Sequence, residues 1–300
     1  MAGHKLKTVG SFENLKSRIE RLFEIRPRRS KLSAQLSLEL NSTTPQRKGG
    51  SHKSPTDLLN HISETLPNSE IYLFGGVIRD LALFGRNGFN SDIDIVVDGD
   101  WPSCKEYLNS IGAKLNKFGG FRLEVSGWPI DIWSAQETWA IRKGLIEFTG
   151  ISSLTKTTIL NWDAVLMNWD TRKIICAPNY LDSLKERQMD IVLRENPNPL
   201  GATTRVFRHL CAKDARSITQ STAEFLANST TFYSLKQIKQ YELSSYGSTI
   251  IESAIFSLFK RIKELEHLEI RERFEIASRT LEQDGATLSF RQLILNFNED

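Results

Sequence analysis

The feature that most constrains the fold is the segment "IYLFGGVIRDLALFGRNGFNSDIDIVVDGD", residues 71–100. An apolar run is followed by two glycines, a mixed apolar and charged stretch and an alternating Asp-Ile-Asp. The run predicts a buried strand, the stretch after Gly75-Gly76 predicts a short helix that ends at Gly85, and residues 92–98 predict a second strand. A strand, a helix and another strand in direct succession are typical of a sheet that is covered by helices.

Helical and strand patterns also alternate in the flanking sequence. Residues 11–26 have apolar side chains at helical spacing, with Ser11 as a possible N-cap and Pro27 after the last turn. Further helices are predicted at 55–66, 101–112 and 134–144. Residues 121–133 predict two strands around a Ser-Gly turn, and further strand segments are predicted at 162–167 and 173–176. Residues 205–300 carry only helical patterns. We therefore expect an α+β protein in which a small mixed sheet precedes an all-helical C-terminal part.

Composition divides the chain into three predicted parts. Residues 1–53 contain 12 Lys or Arg and 4 Asp or Glu, and the remaining residues contain 27 basic and 32 acidic side chains. We interpret residues 1–53 as a basic helix with a flexible linker, 54–195 as the domain with the sheet, and 196–300 as the helical domain. A basic arm suits a nucleic acid, although a solvated leader has the same composition.

Hydropathy and cysteine content favour a cytoplasmic protein. No apolar run approaches the roughly 18 to 20 residues that cross a bilayer, and no secretory signal is visible, so we expect no membrane partner. The three cysteines, Cys104, Cys176 and Cys211, are far apart in the sequence. Such spacing is typical of thiols in a reducing compartment and not of disulfides or a zinc site.

Two carboxylates in the opening segment point to a metal site. Asp92 and Asp94 are two positions apart on a predicted strand, so both side chains leave the same face. Adjacent carboxylates resist ionisation unless a cation lies between them, and Mg²⁺, with Mn²⁺ as the alternative, binds such oxygen ligands. Asp131 is the sole charge in the apolar strand "WPIDIW" and is the candidate third carboxylate. An ordinary surface Asp-x-Asp is the alternative interpretation.

The glycine pair adds a candidate site for phosphate. Glycines between a strand and a helix allow the backbone to approach a ligand closely, and the first turn of a helix presents N–H groups to an anion. Gly75 and Gly76 have this position, although a plain turn would use the same residues. Arg79 and Asp80, within the predicted helix, could pair on its surface.

These residues resemble a known family. The string L-F-G-G-V-I-R-D-L-A-L-F-G followed by S-D-I-D-I-V-V is similar to motif A of class II nucleotidyltransferases. That family comprises tRNA CCA-adding enzymes and bacterial poly(A) polymerases, within the DNA polymerase β-like superfamily. The resemblance covers residues 71–97, reappears at I-D-I-W, and is traceable through residues 155–191 and 199–210. It implies a head domain with a five-stranded mixed sheet and helical neck and body domains, with this chain as a divergent member.

The resemblance also implies a reaction and its residues. Asp92, Asp94 and Asp131 would be the catalytic carboxylates and would hold Mg²⁺, while an acceptor hydroxyl attacks the α-phosphate of a nucleoside triphosphate and releases pyrophosphate. A larger group would bind or support the nucleotide, namely Gly75, Gly76, Arg79, Asp80 and Ser91. The chemistry needs positioning and charge stabilisation, and no protein nucleophile.

The sequence departs from the family downstream. The family usually has R-R-D-F-T-I-N-A after the third carboxylate, and here Thr157, Thr158 and Ile159 stand where Arg, Arg and Asp would be. Lys156 is the nearby cation and the candidate phosphate contact. The acid of the base-reading motif E-D-x-x-R is missing, and Arg205 and Arg208 remain as candidate RNA contacts.

Three functions follow from these observations. The first is transfer of a nucleotide to an RNA 3′ hydroxyl, with a tRNA-like acceptor, which the basic arm and the neck arginines favour. The second is transfer to a hydroxyl of a protein or small molecule, as in stress, defence or toxin enzymes. The third is a non-catalytic relative that binds nucleotide or RNA, which the loss of the R-R-D residues favours.

Overall fold

The computed structural model describes five parts of the chain, residues 8–24, 52–89, 91–213, 215–283 and 294–295. The chain divides into two compact units. The first is formed by residues 1–154 and 165–176, and the second by residues 155–164 and 177–300. Nearly all of the predicted linker lies outside the described residues.

The first unit contains the predicted sheet. Its helices and strands are α1 (Phe12–Glu24), α2 (Pro55–Thr65), β1 (Glu70–Phe74), α3 (Gly76–Phe84), β2 (Ile93–Asp98), α4 (Trp101–Ser110), β3 (Lys114–Leu115), β4 (Phe121–Val125), β5 (Trp128–Ser134), α5 (Trp139–Arg142), β6 (Val165–Asn168) and β7 (Ile174–Cys176). The strand–helix–strand prediction for the opening segment is confirmed, and α3 ends at Gly85, which has a φ of 67°. The helices predicted at 11–26, 55–66 and 101–112 are confirmed as well.

The seven strands form one mixed sheet in the order β3-β4-β5-β2-β1-β6-β7. Strands β2 and β5 run parallel, and every other neighbouring pair is antiparallel. The expected mixed sheet is therefore confirmed. The family resemblance implied a sheet of five strands. This sheet has seven, with the short strands β3 and β7 at its edges.

The two faces of this sheet are covered differently. On one face, aliphatic side chains of the central strands are fully buried, and helices α2 and α3 contact β1. On the opposite face, a smaller apolar cluster is formed by Tyr72, Val96, Ala135, Leu154 and Leu166. Both faces therefore contribute to the core, as the near-continuous apolar run of β2 requires.

Helix α1 packs on the outside of α3. Arg18 Nη1 donates to the carbonyl of Leu81 at 2.8 Å, and the amide of Val9 donates to the carbonyl of Ala82 at 2.9 Å. The buried side chains of α1 have the spacing that the sequence predicted, for example Leu15, Ile19 and Leu22. An apolar stripe at this spacing stabilises a helix mainly by packing against a neighbour.

Two predicted elements of the first unit are corrected. The helix predicted at 134–144 is limited to α5, because Ser134 continues β5 in register with Val97 and the Ala135 amide donates to the Val97 carbonyl. The strand predicted at 162–167 begins only at Val165, after a 3₁₀ turn at Asn161–Asp163. In both cases sheet register decides the boundary, and register is not visible in local periodicity.

The second unit is mainly helical. Its elements are α6 (Tyr180–Glu186), β8 (Gln188–Met189), α7 (Pro199–Ala212), β9 (Ser217–Ile218), α8 (Gln220–Phe232), α9 (Leu235–Tyr246), α10 (Ser253–Glu264), α11 (Ile270–Gln283) and β10 (Ile294–Leu295). Phe207 packs against Phe256 and Phe259, with ring centroids 5.9 Å apart in both pairs. The expectation of an all-helical part is wrong in one detail, because β8, β9 and β10 form a small parallel sheet. Strands of two residues are too short to show an alternating pattern.

The protein is thus α+β, with a mixed sheet followed by a helical region. Within the described part of the chain, we find no helix that combines the length and the apolar character of a membrane span.

Candidate active site

The candidate site lies where three neighbouring strands place polar side chains on one face. Asp94 in β2 is the direct partner of Asp131 in β5, and Asp131 is the direct partner of Arg122 in β4. On the other side of β2, Asp94 is paired with Phe74, the last residue of β1. Because partners across a sheet point to the same face, Asp94 and Asp131 lie side by side on one face, whereas Asp92 directly precedes β2.

Arg122 connects two of the three carboxylates. Its Nη2 atom donates to Asp92 Oδ2 and, at 2.9 Å, to Asp131 Oδ2. The side chain of Arg122 is 54% exposed, that of Asp92 44% and that of Asp131 22%. Arg122 is not among the site residues that the sequence predicts. It lies on the strand that precedes I-D-I-W, and only the strand register shows which carboxylates it contacts.

Asp131 is the more buried of the two carboxylates that Arg122 contacts. Burial raises the pKa of Asp131 above its usual range, and the nearby charge of Asp92 raises it further, while Arg122 acts in the opposite direction. A cation close to Asp131 therefore favours the ionised form of this carboxyl group.

An apolar boundary limits the site on the side toward the sheet centre. Phe74 and Trp133 pack edge to face with ring centroids 5.8 Å apart. Both rings lie against the apolar cluster that contains Val96. Phe74 is the cross-strand partner of Asp94, and Trp133 is two residues after Asp131 on β5 and pairs with Val96. The carboxylates therefore occupy the part of this face where the apolar cover ends.

The glycine pair joins β1 to α3 next to these carboxylates. Gly75 has a φ of 57° and a ψ of −111°, a conformation that an L side chain rarely adopts. Its amide donates to the carbonyl of Val165 at 2.9 Å, which fixes the turn to β6. A Cβ atom at Gly76 would lie 3.2 Å from Ser91 Oγ, so the second glycine permits close packing against Ser91.

The first turn of α3 provides the predicted anion site. The amides of Ile78 and Arg79 both donate to the Gly75 carbonyl. The helix itself therefore makes no use of the amides of Gly76 and Val77, as is general for the first turn. Since Gly75 directly follows Phe74, the partner of Asp94, these amides begin beside the carboxylate row.

Arg79, Asp80 and Ser91 form a buried network behind the glycine turn. Arg79 Nε donates to Asp80 Oδ1 at 2.8 Å, Ser91 Oγ donates to Asp80 Oδ2 at 2.6 Å, and Arg79 Nη2 contacts Ser91 Oγ at 3.2 Å. Asp80 is fully buried, and Arg79 is 6% exposed. The alternative of a pair on the helix surface is therefore wrong. The network ties α3 to the residue that directly precedes Asp92.

The residues that replace the family's R-R-D pattern belong to the second unit. Lys156 is exposed at the end of a 3₁₀ helix, whereas Thr158 and Ile159 are buried. The carbonyls of Thr158 and Ile159 accept from the amides of Leu193 and Val192. Thr158 and Ile159 thus pair through their backbone with residues 192–193. Their side chains are buried and carry no charge that could bind a nucleotide.

The two neck arginines also lie in the second unit and differ from each other. Arg205 is exposed on α7. Arg208 Nη1 donates at 2.6 Å to Glu242, whose side chain is fully buried, and its guanidinium stacks 4.2 Å from the centroid of Tyr246. Glu242 also accepts from the amide of Ile250 at 2.8 Å. Arg208 therefore joins α7 to α9.

The donor set of the first unit fits a hard divalent cation by its chemistry, since all three candidate ligands are carboxylates. Arg122 shows that Asp92 and Asp131 already share a positive partner. Among the residues that the structure describes, however, no three His, Cys, Asp or Glu side chains converge closely enough to ligate one metal ion. A bound ion would thus require these side chains to move toward each other.

Comparisons with known proteins give only distant similarities. No family model matches the sequence, and no curated protein is similar enough to count as a relative. Among solved structures, a complex of a CCA-adding enzyme with CTP has 19% sequence identity and a TM-score of 0.42, and the match covers 72% of this chain and 59% of that one. A complex of a CCA-adding enzyme with ATP has 20% identity and a TM-score of 0.47, with 77% and 59% coverage.

A third structure is described as a tRNA nucleotidyltransferase complexed with a primer tRNA and an incoming ATP analog. It has 17% identity and a TM-score of 0.41, and the match covers 75% of this chain and 60% of that one. This chain therefore spans less than two thirds of the length of each of the three proteins. Because the identities and TM-scores are this low, we base the function on the residues of this chain.

Proposed function

We propose that this protein is a metal-dependent nucleotidyltransferase that transfers a nucleoside monophosphate from a nucleoside triphosphate to the 3′ hydroxyl of an RNA, with a tRNA-like acceptor. One observation carries the proposal. Phe74, Asp94 and Asp131 are consecutive partners across three strands, and the helix N-terminus follows directly after Phe74. Candidate phosphate donors and metal ligands are thus adjacent on one face.

The transfer exchanges one phosphorus–oxygen bond for another. The acceptor hydroxyl oxygen bonds to the α-phosphorus, the bond from that phosphorus to the oxygen bridging to the β-phosphate breaks, and pyrophosphate leaves. The proton of the hydroxyl passes to water. Bound Mg²⁺ would offset the negative charge on the phosphates and increase the acidity of the attacking hydroxyl.

The residues of the chain bind and orient the reactants. Asp92, Asp94 and Asp131 would hold the metal on the open face of β2 and β5. The amides of Gly76 and Val77 would bind phosphate oxygens, helped by the positive end of the helix dipole. The buried Arg79–Asp80–Ser91 network would keep these two parts at a fixed separation, which is the main requirement of a reaction that depends on positioning.

RNA as the acceptor is supported by the basic composition of residues 1–53 and by the motif resemblance. A second function, non-catalytic binding of nucleotide or RNA, is favoured by two observations. Arg122 forms ion pairs with two of the carboxylates, and Thr158 and Ile159 are buried where the family resemblance implies charged residues.

A labelling experiment distinguishes these functions. The full chain with Mg²⁺ or Mn²⁺ is given each α-labelled nucleoside triphosphate together with tRNA, total RNA or RNA-depleted lysate. We expect label on RNA, with tRNA as the best acceptor. Label on protein or on a small molecule would replace the acceptor in our proposal, and binding of the nucleotide without any transfer would favour the non-catalytic function.

A further inference from the structure

We infer that Arg122 is an internal counter-cation that competes with the divalent metal for Asp92 and Asp131. With no metal bound, its guanidinium offsets part of the negative charge of the two carboxylates, and it leaves them when the metal binds. The inference rests on the proposed function, because it assumes that these carboxylates take a metal ion. Arg122 thereby controls the affinity of these carboxylates for the metal.

The contacts of Arg122 place it in direct competition. One atom, Nη2, contacts Asp92 Oδ2, directly before β2, and Asp131 Oδ2, on β5. A hard divalent cation would use the same carboxylate oxygens as ligands. The oxygens therefore cannot serve Arg122 and the metal fully at the same time.

The surroundings of Arg122 allow its side chain to leave. It is 54% exposed, and its cross-strand neighbour is Lys114 on the short edge strand β3. An ion pair in this environment contributes little to stability, since water solvates both charges. A divalent ion has twice the charge and binds carboxylate oxygens directly, so it can displace a guanidinium from such a pair.

A structural role for Arg122 makes the opposite prediction. If the guanidinium instead holds Asp92 and Asp131 in the positions that the metal requires, its removal would weaken metal binding. If the guanidinium competes, its removal would strengthen metal binding. The sign of the change in metal affinity therefore separates the two roles.

The experiment measures Mn²⁺ binding to the full chain by electron paramagnetic resonance, which counts free Mn²⁺ and does not depend on activity. We compare the wild type with Arg122→Gln, which removes the charge and keeps much of the side chain. We expect about tenfold tighter binding, equivalent to about 1.4 kcal/mol. Lys114→Gln is the matched control, because Lys114 is the cross-strand partner of Arg122. It should change the affinity less than about twofold if contact, and not general charge, is the cause.

A second measurement uses thermal stability. In buffer with EDTA, Arg122→Gln should melt below the wild type, because Asp92 and Asp131 then repel each other without a counter-charge. Excess Mg²⁺ should raise the melting temperature of Arg122→Gln more than that of the wild type or of Lys114→Gln. Arg122→Lys, which keeps the charge but loses the forked group, should bind Mn²⁺ about threefold tighter than the wild type and serves if Arg122→Gln does not fold.

Three outcomes decide the inference. Tighter binding in the folded Arg122 variant supports it. Equal or weaker binding, with the wild type still binding Mn²⁺, overturns the inference and leaves the proposed function in place. Absence of Mn²⁺ binding in both the wild type and the variant, with nucleoside triphosphate present, would overturn the inference and the metal-dependent function together.

Discussion

The two units each contain an arginine paired with carboxylate, and the two pairs have different environments. In the first unit, Arg122 contacts Asp92 and Asp131 on an open sheet face, and its own side chain is 54% exposed. In the second unit, Arg208 is 17% exposed and Glu242 is fully buried. Glu242 also accepts hydrogen bonds from backbone amides, so its buried carboxylate has several partners inside the protein. An arginine–carboxylate contact is therefore replaceable in the first unit and a fixed structural contact in the second.

The comparison shows how chemistry and stability are separated in this chain. An exposed carboxylate can exchange one cation for another, because water replaces each lost contact. A buried carboxylate that loses its partner stays unsolvated and destabilises the fold. We therefore expect substitutions in the first cluster to change reactivity and substitutions in the second to change stability.

The largest expected effect is on the rate of nucleotidyl transfer. The double substitution Asp92→Asn, Asp94→Asn removes two of the three proposed metal ligands and should lower the rate by about a thousandfold or more. The melting temperature should change little, because both side chains are partly exposed. The labelling assay described above measures the rate.

Glu124→Gln is the control for this double variant, because Glu124 is an exposed carboxylate two residues after Arg122 on the same strand. It should retain near wild-type activity. A double variant as active as Glu124→Gln would exclude the carboxylate row from the reaction.

The next effect concerns the buried pair of the second unit. Glu242→Ala leaves Arg208 without its carboxylate partner and two amides without their acceptor, so the free energy of unfolding should fall by about 3 to 5 kcal/mol. Urea denaturation measures the change. Glu264→Ala, in an exposed pair with Lys260, should cost less than about 0.5 kcal/mol. Similar losses in the two variants would show that burial does not distinguish the clusters.

A smaller loss of stability is expected for the network behind the glycine turn. Asp80→Asn keeps the shape of the side chain but removes the charge that pairs with Arg79, and it should lower the free energy of unfolding by about 2 kcal/mol. Activity should fall as well, because Ser91 loses a partner next to Asp92. Glu106→Gln, an exposed change on α4, provides the reference for a substitution without structural effect. Unchanged stability in Asp80→Asn would contradict the assignment of this network as buried and structural.

The smallest effect is a dependence of stability on pH. The pKa of Asp131 is raised, mainly by burial, so the unfolded chain releases this proton at a lower pH than the folded chain. As the pH rises from the unfolded pKa of about 3.9 toward the folded value, Asp131 therefore contributes a decrease in the free energy of unfolding. In Asp131→Asn this contribution is absent, and in EDTA its melting temperature should decline less over that range than that of the wild type.

Glu124→Gln again serves as the control for the pH series and should follow the wild type. Parallel curves for the wild type and Asp131→Asn would show that the folded chain does not raise the pKa of Asp131. A steeper decline in Asp131→Asn would reverse the sign that we expect.

The opening segment shows how much local sequence predicts in this protein. The strand β1, the helix α3 and the strand β2 follow from an apolar run, two glycines and an alternating Asp-Ile-Asp, and the structure has all three. The shared face of Asp92 and Asp94 stays a prediction from the period of a strand, because β2 begins at Ile93. These features depend on neighbours in the sequence, so one chain is sufficient to predict them.

Other features depend on partners that are distant in the sequence. The contacts of Arg122 with the carboxylates depend on the pairing of β4 with β5 and of β5 with β2, and no local pattern gives that register. Asp80 accepts a hydrogen bond from Ser91, eleven residues further along the chain, and the helix sequence alone does not show this partner. The strands β8 and β9 have two residues each and depend on pairing with each other.

The central claim is transfer of a nucleotide to an RNA 3′ hydroxyl, and the mass of the acceptor RNA tests it most directly. A defined tRNA with an intact 3′ end and the same tRNA oxidised with periodate, which destroys that hydroxyl, are each incubated with the full chain, nucleoside triphosphates and Mg²⁺. We predict that the intact RNA gains mass in whole nucleoside monophosphate units and that the oxidised RNA does not. An unchanged mass of the intact RNA, or an equal gain on both RNAs, would contradict the claim.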